Sequence, residues 1–92
     1  MDDFLYYNEL YTFYNELLTD REREYFSNYY LENLSLNEIA LNFKVSKQAV
    51  SLMLNNIRIK LDNYEEILKL KKRDDFMKKI LSPDTYEEYK KL

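Results

Sequence analysis

The side chains with chemistry to offer are carboxylates, amines, amides and phenols, because the sequence contains neither histidine nor cysteine. That removes thiolate chemistry, disulfides, the usual zinc ligands and the group that most often moves protons near neutral pH. The paired acids Asp74-Asp75 and Glu65-Glu66 are the nearest approach to a two-carboxylate acid–base site. They sit in polar runs among lysines, without an apolar setting to perturb their pKa values. A phosphate-cradling loop is excluded as well, since there is no glycine. The expectation is a protein that is not an enzyme and uses no cofactor and no metal.

What remains is recognition. The chain carries a net charge of −3, unevenly spread: residues 1–43 hold two arginines against nine acids, and the remainder is net positive. Lys44, Lys47, Arg58 and Lys60 fall in a stretch without an acid. Such a local basic segment can bind phosphate even in an acidic chain. Read as a helix, the stretch from Ser46 turns Ser46, Lys47, Gln48, Ser51, Leu52 and Asn55 outward, with Arg58 farther along. Gln48 and Asn55 are suited to adenine edges, and Lys47 and Arg58 to phosphates. Leu52 and Ile59 suit a protein surface better than a phosphate-lined groove. The first seven are the candidate residues for binding nucleic acid or a partner.

These residues need elements to position them. With no glycine and one proline, Pro83, hairpin turns are hard to build, which points to an all-α fold. Ninety-two residues fit one helical domain, 1–92. In a first helix, Tyr7, Leu10, Tyr14 and Leu17 recur at helical spacing, and Tyr6, Tyr11, Phe13 and Leu18 widen the apolar face. Tyr7, Tyr11 and Tyr14 are expected in the core or in contact between two copies. Thr19-Asp20-Arg21-Glu22 is a capping box for a second helix to about Glu32, and Ser35-Leu36-Asn37-Glu38 is another, for a third through Phe43.

Ser46 is a cap for a long fourth helix whose stripe runs Val50, Leu54, Ile57, Leu61, Tyr64, Leu68. A break is expected near residues 70–74, Phe76, Met77, Ile80 and Leu81 resume the stripe, and Ser82-Pro83 opens a last helix. Ile39, Phe43, Val45, Val50 and Met53 form the wedge of a helix-turn-helix at about 35–60, with Ala40 as its small residue. Its turn, usually glycine, falls on Lys44, which would need a left-handed backbone at a cost of about 1 kcal/mol or a different turn. The fold class is therefore a small helical bundle with a helix-turn-helix and a long fourth helix.

Several stretches together carry a family resemblance: Glu9-Leu10-Tyr11-Thr12-Phe13-Tyr14, Leu17-Leu18-Thr19, Arg23-Glu24-Tyr25, Tyr29-Tyr30-Leu31, Leu34-Ser35-Leu36, Glu38-Ile39-Ala40 and Val45-Ser46-Lys47-Gln48-Ala49-Val50. Over roughly residues 5–70 the chain resembles the bacterial YlxM-like family of helix-turn-helix proteins, itself similar to region 4 of RNA polymerase sigma factors. Genes of that family commonly lie beside that of the signal recognition particle GTPase. The resemblance implies an accessory or regulatory part in co-translational protein targeting, through the particle's protein, its small RNA or both. Lys44 departs from the family's usual glycine, whereas Lys47 keeps its usual base.

A DNA-binding transcription regulator is the alternative, and a purely structural dimeric scaffold a third. A homodimer through aromatic and C-terminal helical surface is expected. The N-terminus starts acidic where a secretory signal starts basic, and no apolar run reaches the roughly 18 residues of a membrane helix. The expected location is the cytoplasm, with no membrane contact.

Overall fold

A computed structural model of the chain describes residues 3–91. It contains six α-helices and no strand among the described residues: α1 (Asp3–Tyr14), α2 (Asp20–Phe26), α3 (Leu36–Phe43), α4 (Lys47–Leu68), α5 (Leu70–Ile80) and α6 (Pro83–Lys90). The all-α reading of the sequence holds. The molecule is elongated, 48 × 26 × 24 Å.

α4 is the axis on which α1, α2 and α3 pack. Its stripe of Val50, Leu54, Ile57 and Leu61 is buried against Leu10 and Tyr14 of α1, Tyr25 and Phe26 of α2, and Ile39 and Ala40 of α3. Burying a side chain of this size contributes about 1.5–3 kcal/mol each, so this stripe holds the bundle together. The stripe ends sooner than its sequence period suggests, since Tyr64 is half-buried and Leu68 exposed.

Aromatic rings fill the space between α1 and α2. Tyr11 stacks on Phe26 at 4.1 Å and Phe26 on Tyr30 at 4.3 Å, and Phe4 closes the column on Tyr30 at 4.9 Å. α2 widens after Phe26 into a π-helical turn, Ser27–Leu31, closed by the Glu32 N–H donating to the Ser27 carbonyl. Tyr30 is buried within that turn. The period of the sequence, read as one regular helix to Glu32, does not register this widening.

Both capping boxes form as their sequence signatures require. The Glu22 and Glu38 N–H groups donate to the Thr19 and Ser35 hydroxyls, and the Thr19 and Ser35 N–H groups donate to the two carboxylates. α1 ends earlier than its apolar spacing suggests, in a 3-10 turn, Asn15–Leu17. Arg23 Nη1 donates to the carbonyls of Asn15 and Leu18, tying that turn to α2.

The break after α4 is sharper and earlier than residues 70–74. Lys69 takes a left-handed backbone, φ 56°, ψ 34°, and α5 begins at the next residue. The exposed first N–H groups of a helix need acceptors, and α5 finds them outside its own sequence. The Lys71 and Lys72 N–H groups donate to Glu65 Oε1 and Oε2, and the Leu70 N–H donates to the Tyr14 hydroxyl. That hydroxyl donates in turn to Glu65 Oε1 at 2.6 Å.

Candidate nucleic-acid interface

The turn between α3 and α4 is built on Lys44, at φ 57°, ψ 46°. The Val45 N–H donates to the Ala40 carbonyl at 3.0 Å and the Lys44 N–H to the Leu41 carbonyl at 3.4 Å. These two bonds form a Schellman motif, whose left-handed residue is ordinarily glycine. The lysine therefore keeps the turn rather than replacing it. Ser46 then caps α4, its hydroxyl accepting from the Ala49 N–H at 3.0 Å. Ile39 and Val50 are fully buried where the two helices meet, and Phe43, Val45 and Met53 pack around them. Phe43 also stacks on Tyr25 at 4.2 Å, beneath the guanidinium of Arg21.

That packing decides what α4 presents. Ser46, Lys47, Gln48, Ser51, Leu52 and Asn55 are all exposed, and the first turn of α4 carries no acid. Leu52 keeps 62% of its surface and Ile59 49%, so the apolar pair stands in the open face. Arg58 lies apart from this group. It is half-buried, and its Nη1 donates to the Tyr30 hydroxyl at 2.8 Å. That contact holds the Tyr30 phenol in place while burial raises its pKa above the ordinary value.

Lys60 is also drawn inward, its Nζ lying 2.6 Å from Glu22 Oε2. Burial pushes the Glu22 carboxyl up, but Lys60 and the Thr19 N–H outweigh it and hold the pKa below the carboxylate norm. The same bond raises Lys60 above the ordinary lysine value. Of the four bases between Lys44 and Lys60, only Lys44 and Lys47 lack a side-chain partner among the described residues. Lys44 was singled out in the sequence as a difficulty for the turn, not as a contact. The structure puts it at the tip of the motif, exposed beside Lys47.

The aromatic candidates face the other way. Tyr14 is fully buried, and Tyr7 and Tyr11 are half-buried against the core. The Tyr7 hydroxyl donates to Asp62 Oδ2 at 2.9 Å. Burial and then the neighbouring carboxylate, Asp62 or Glu65, push the Tyr7 and Tyr14 phenols up to about 12. Of the two roles expected for this set, core packing is the one these positions allow Tyr14.

The turn, the wedge and the exposed face define a helix-turn-helix. A family model described as "Putative helix-turn-helix protein, YlxM / p13 like", UPF0122, matches residues 1–91. The chain belongs to this family. It is similar to a UPF0122 protein of Caldanaerobacter subterraneus subsp. tengcongensis, 48% identical over 86% of this chain and 68% of the relative. UPF0122 proteins of Shouchella clausii and Halalkalibacterium halodurans are 39% and 40% identical, over 89% and 87% of this chain and 75% and 77% of theirs. Membership agrees with the helix-turn-helix read from Ser35 onward. Among the described residues no group of His, Cys, Asp and Glu could hold a metal ion, and no helix is long and apolar enough to cross a membrane.

Proposed function

We propose that this chain is a non-enzymatic regulatory protein that binds structured nucleic acid through the N-terminal face of α4. Extending the YlxM-like resemblance, we assign that nucleic acid to the small RNA of the signal recognition particle, bound alone or together with the particle's protein. One observation carries the reading: the left-handed Lys44 closes α3 onto α4 and leaves Ser46, Lys47, Gln48, Ser51, Leu52 and Asn55 exposed at a helix start without acid. Two uncommitted lysines neutralise few phosphates, and each lost contact removes about 0.9 from the salt slope on duplex DNA. Weak duplex binding follows, and Leu52 and Ile59 add apolar surface that suits a protein-bearing particle.

Titration against the particle's RNA, its GTPase and random duplex DNA at two salt concentrations tests this. Saturable binding to the RNA or to its complex with the GTPase is expected, weakened by Lys47→Glu. Failure to bind the RNA, or its complex with the GTPase, at micromolar concentration contradicts the proposal. A duplex-reading transcription regulator is the second reading, favoured by the exposed amides of Gln48 and Asn55, seven residues apart on one face. Sequence enrichment from random duplexes, lost with Gln48→Ala, would support it.

A homodimer belongs to the proposal through C-terminal surface such as Ile67, 75% exposed, and not through Tyr14. Sedimentation velocity is expected to show a dimer that Ile67→Glu dissociates, and a wild-type monomer contradicts this part.

A further inference from the structure

α5 is mounted with its polar side inward. Lys71, Asp74, Asp75 and Lys78 line the cleft toward α1 and α6, while Phe76 and Ile80 each keep 56% of their surface. Beside Phe76 a groove of about 320 Å³ runs between α5 and α1, with Tyr6 on its far wall. Tyr6 keeps 38% of its surface but has Lys71 Nζ over its ring at 5.8 Å, so Phe76 is the more open ring for a ligand.

The charges of the groove decide what fits. Glu65 already accepts the Tyr14 hydroxyl and two N–H groups of α5, and Asp75 accepts Lys71 Nζ at 2.8 Å. Lys71 also lies 3.5 Å from Glu9. Both acids thus have their hydrogen-bond partners within the protein. Lys72 and Lys79 border the same groove and have no ion pair among the described residues. The lining holds three lysines against two acids, which leaves one net positive charge, with Lys72 and Lys79 unpaired near the exposed Phe76 ring, complementary to an anion with a flat apolar part.

We propose that this groove binds an unpaired nucleotide segment, its base stacked on Phe76 and its phosphates held by Lys72 and Lys79. Unpaired bases offer the ring faces that a duplex keeps stacked, and aromatic side chains with cations are the usual receptors for them. An acidic peptide would satisfy the lysines and leave the rings without a flat partner. A second copy across a two-fold axis would bring Lys72 and Lys79 against their own images. The inference rests on the reading of the chain as a nucleic-acid binder but uses a separate site. α4 is 22 residues long, about 33 Å, with Lys47 at one end and Glu65 near the other.

The chain has no tryptophan, so Phe76→Trp in the full chain gives a single reporter. Titration with a ten-nucleotide single-stranded oligoadenylate RNA is expected to quench its emission saturably. Lys72→Gln with Lys79→Gln should weaken that binding about tenfold and lower the salt slope by about 1.4, at about 0.7 per single-strand phosphate contact. Lys47→Glu should leave the quenching unchanged. Absence of quenching at about 100 µM RNA, where even non-specific complexes form, overturns the proposal. So does quenching lost equally in Lys47→Glu, which locates binding at the helix-turn-helix, or a blue shift that grows with protein concentration alone, which marks a covering copy. Loss of structured-RNA binding in Lys47→Glu without quenching in Phe76→Trp sinks the groove and leaves the helix-turn-helix reading standing.

Discussion

Lys44 shows how one residue can obey the geometry of a motif while departing from its chemistry. Its backbone is left-handed, where an L-residue loses about 1–2 kcal/mol and glycine loses little. Lys44→Gly should relieve that cost, partly offset by the greater freedom of glycine in the unfolded chain. A net gain of up to about 1 kcal/mol in urea unfolding is expected. Lys44→Val should lose more than about 1 kcal/mol, because a β-branched residue is an outlier in this region. Equal stability of both variants would show that the turn is not left-handed. Lysine at this position also leaves an exposed cation that glycine would not supply, so Lys44→Gly should bind RNA more weakly even while folding better.

The Glu22–Lys60 pair answers to pH at the same scale. A carboxyl held below its ordinary pKa stabilises the fold above that ordinary value, and the contribution is lost as pH falls through the depressed folded pKa. Lys60 is raised, so its contribution is complete below the ordinary lysine value and lost as pH rises through the folded one. Lys60→Gln should therefore move the acid limb of unfolding to higher pH, since Glu22 keeps its burial without its cation. The Lys60 side chain is 44% exposed, which holds the loss at neutral pH to about 1 kcal/mol. An unmoved acid limb would contradict the pairing.

Among the elements, those that announce themselves locally were the legible ones. Thr19/Glu22, Ser35/Glu38, Ser46 and Ser82-Pro83 cap helices through a neighbour three residues away, and each appears where its signature stands. The start of α5 was not legible. Its acceptors are Glu65, several residues upstream, and Tyr14, on another helix, while the left-handed turn falls on a lysine between two leucines, with no glycine or asparagine to mark it.

The candidate site divides in the same way. Ser46, Lys47, Gln48, Ser51, Leu52 and Asn55 follow from helical period and are exposed, whereas Arg58 has a half-buried position because Tyr30 arrives from the π-helical turn. No period in the sequence encodes that meeting. Tyr14→Phe tests the junction, because it strips the Leu70 N–H of its acceptor and Glu65 of a donor. A loss of about 1–3 kcal/mol is expected, with faster amide exchange at the start of α5. Unchanged exchange there would contradict the role of Tyr14.

Across the whole molecule, charge and apolar surface are sorted to different places. The acidic first half packs most of its rings into the core, while uncommitted cations stand at Lys44 and Lys47 and along α5. Alkaline pH should loosen the core as a unit. Tyr7 and Tyr14 are neutral in the fold up to about 12, so their contribution is complete below the ordinary phenol value and lost as pH rises toward the folded one. Tyr14→Phe should flatten that alkaline limb, followed by circular dichroism.

Amide shift mapping by nuclear magnetic resonance tests most directly whether the exposed face of α4 is the binding surface. Titrated with the targeting particle's small RNA, the protein should show its largest perturbations at Lys44, Ser46, Lys47, Gln48, Ser51, Leu52 and Asn55, with little change at Ile57 and Leu61 of the buried stripe. Perturbations confined to other helices, or none at saturating RNA, would contradict the account.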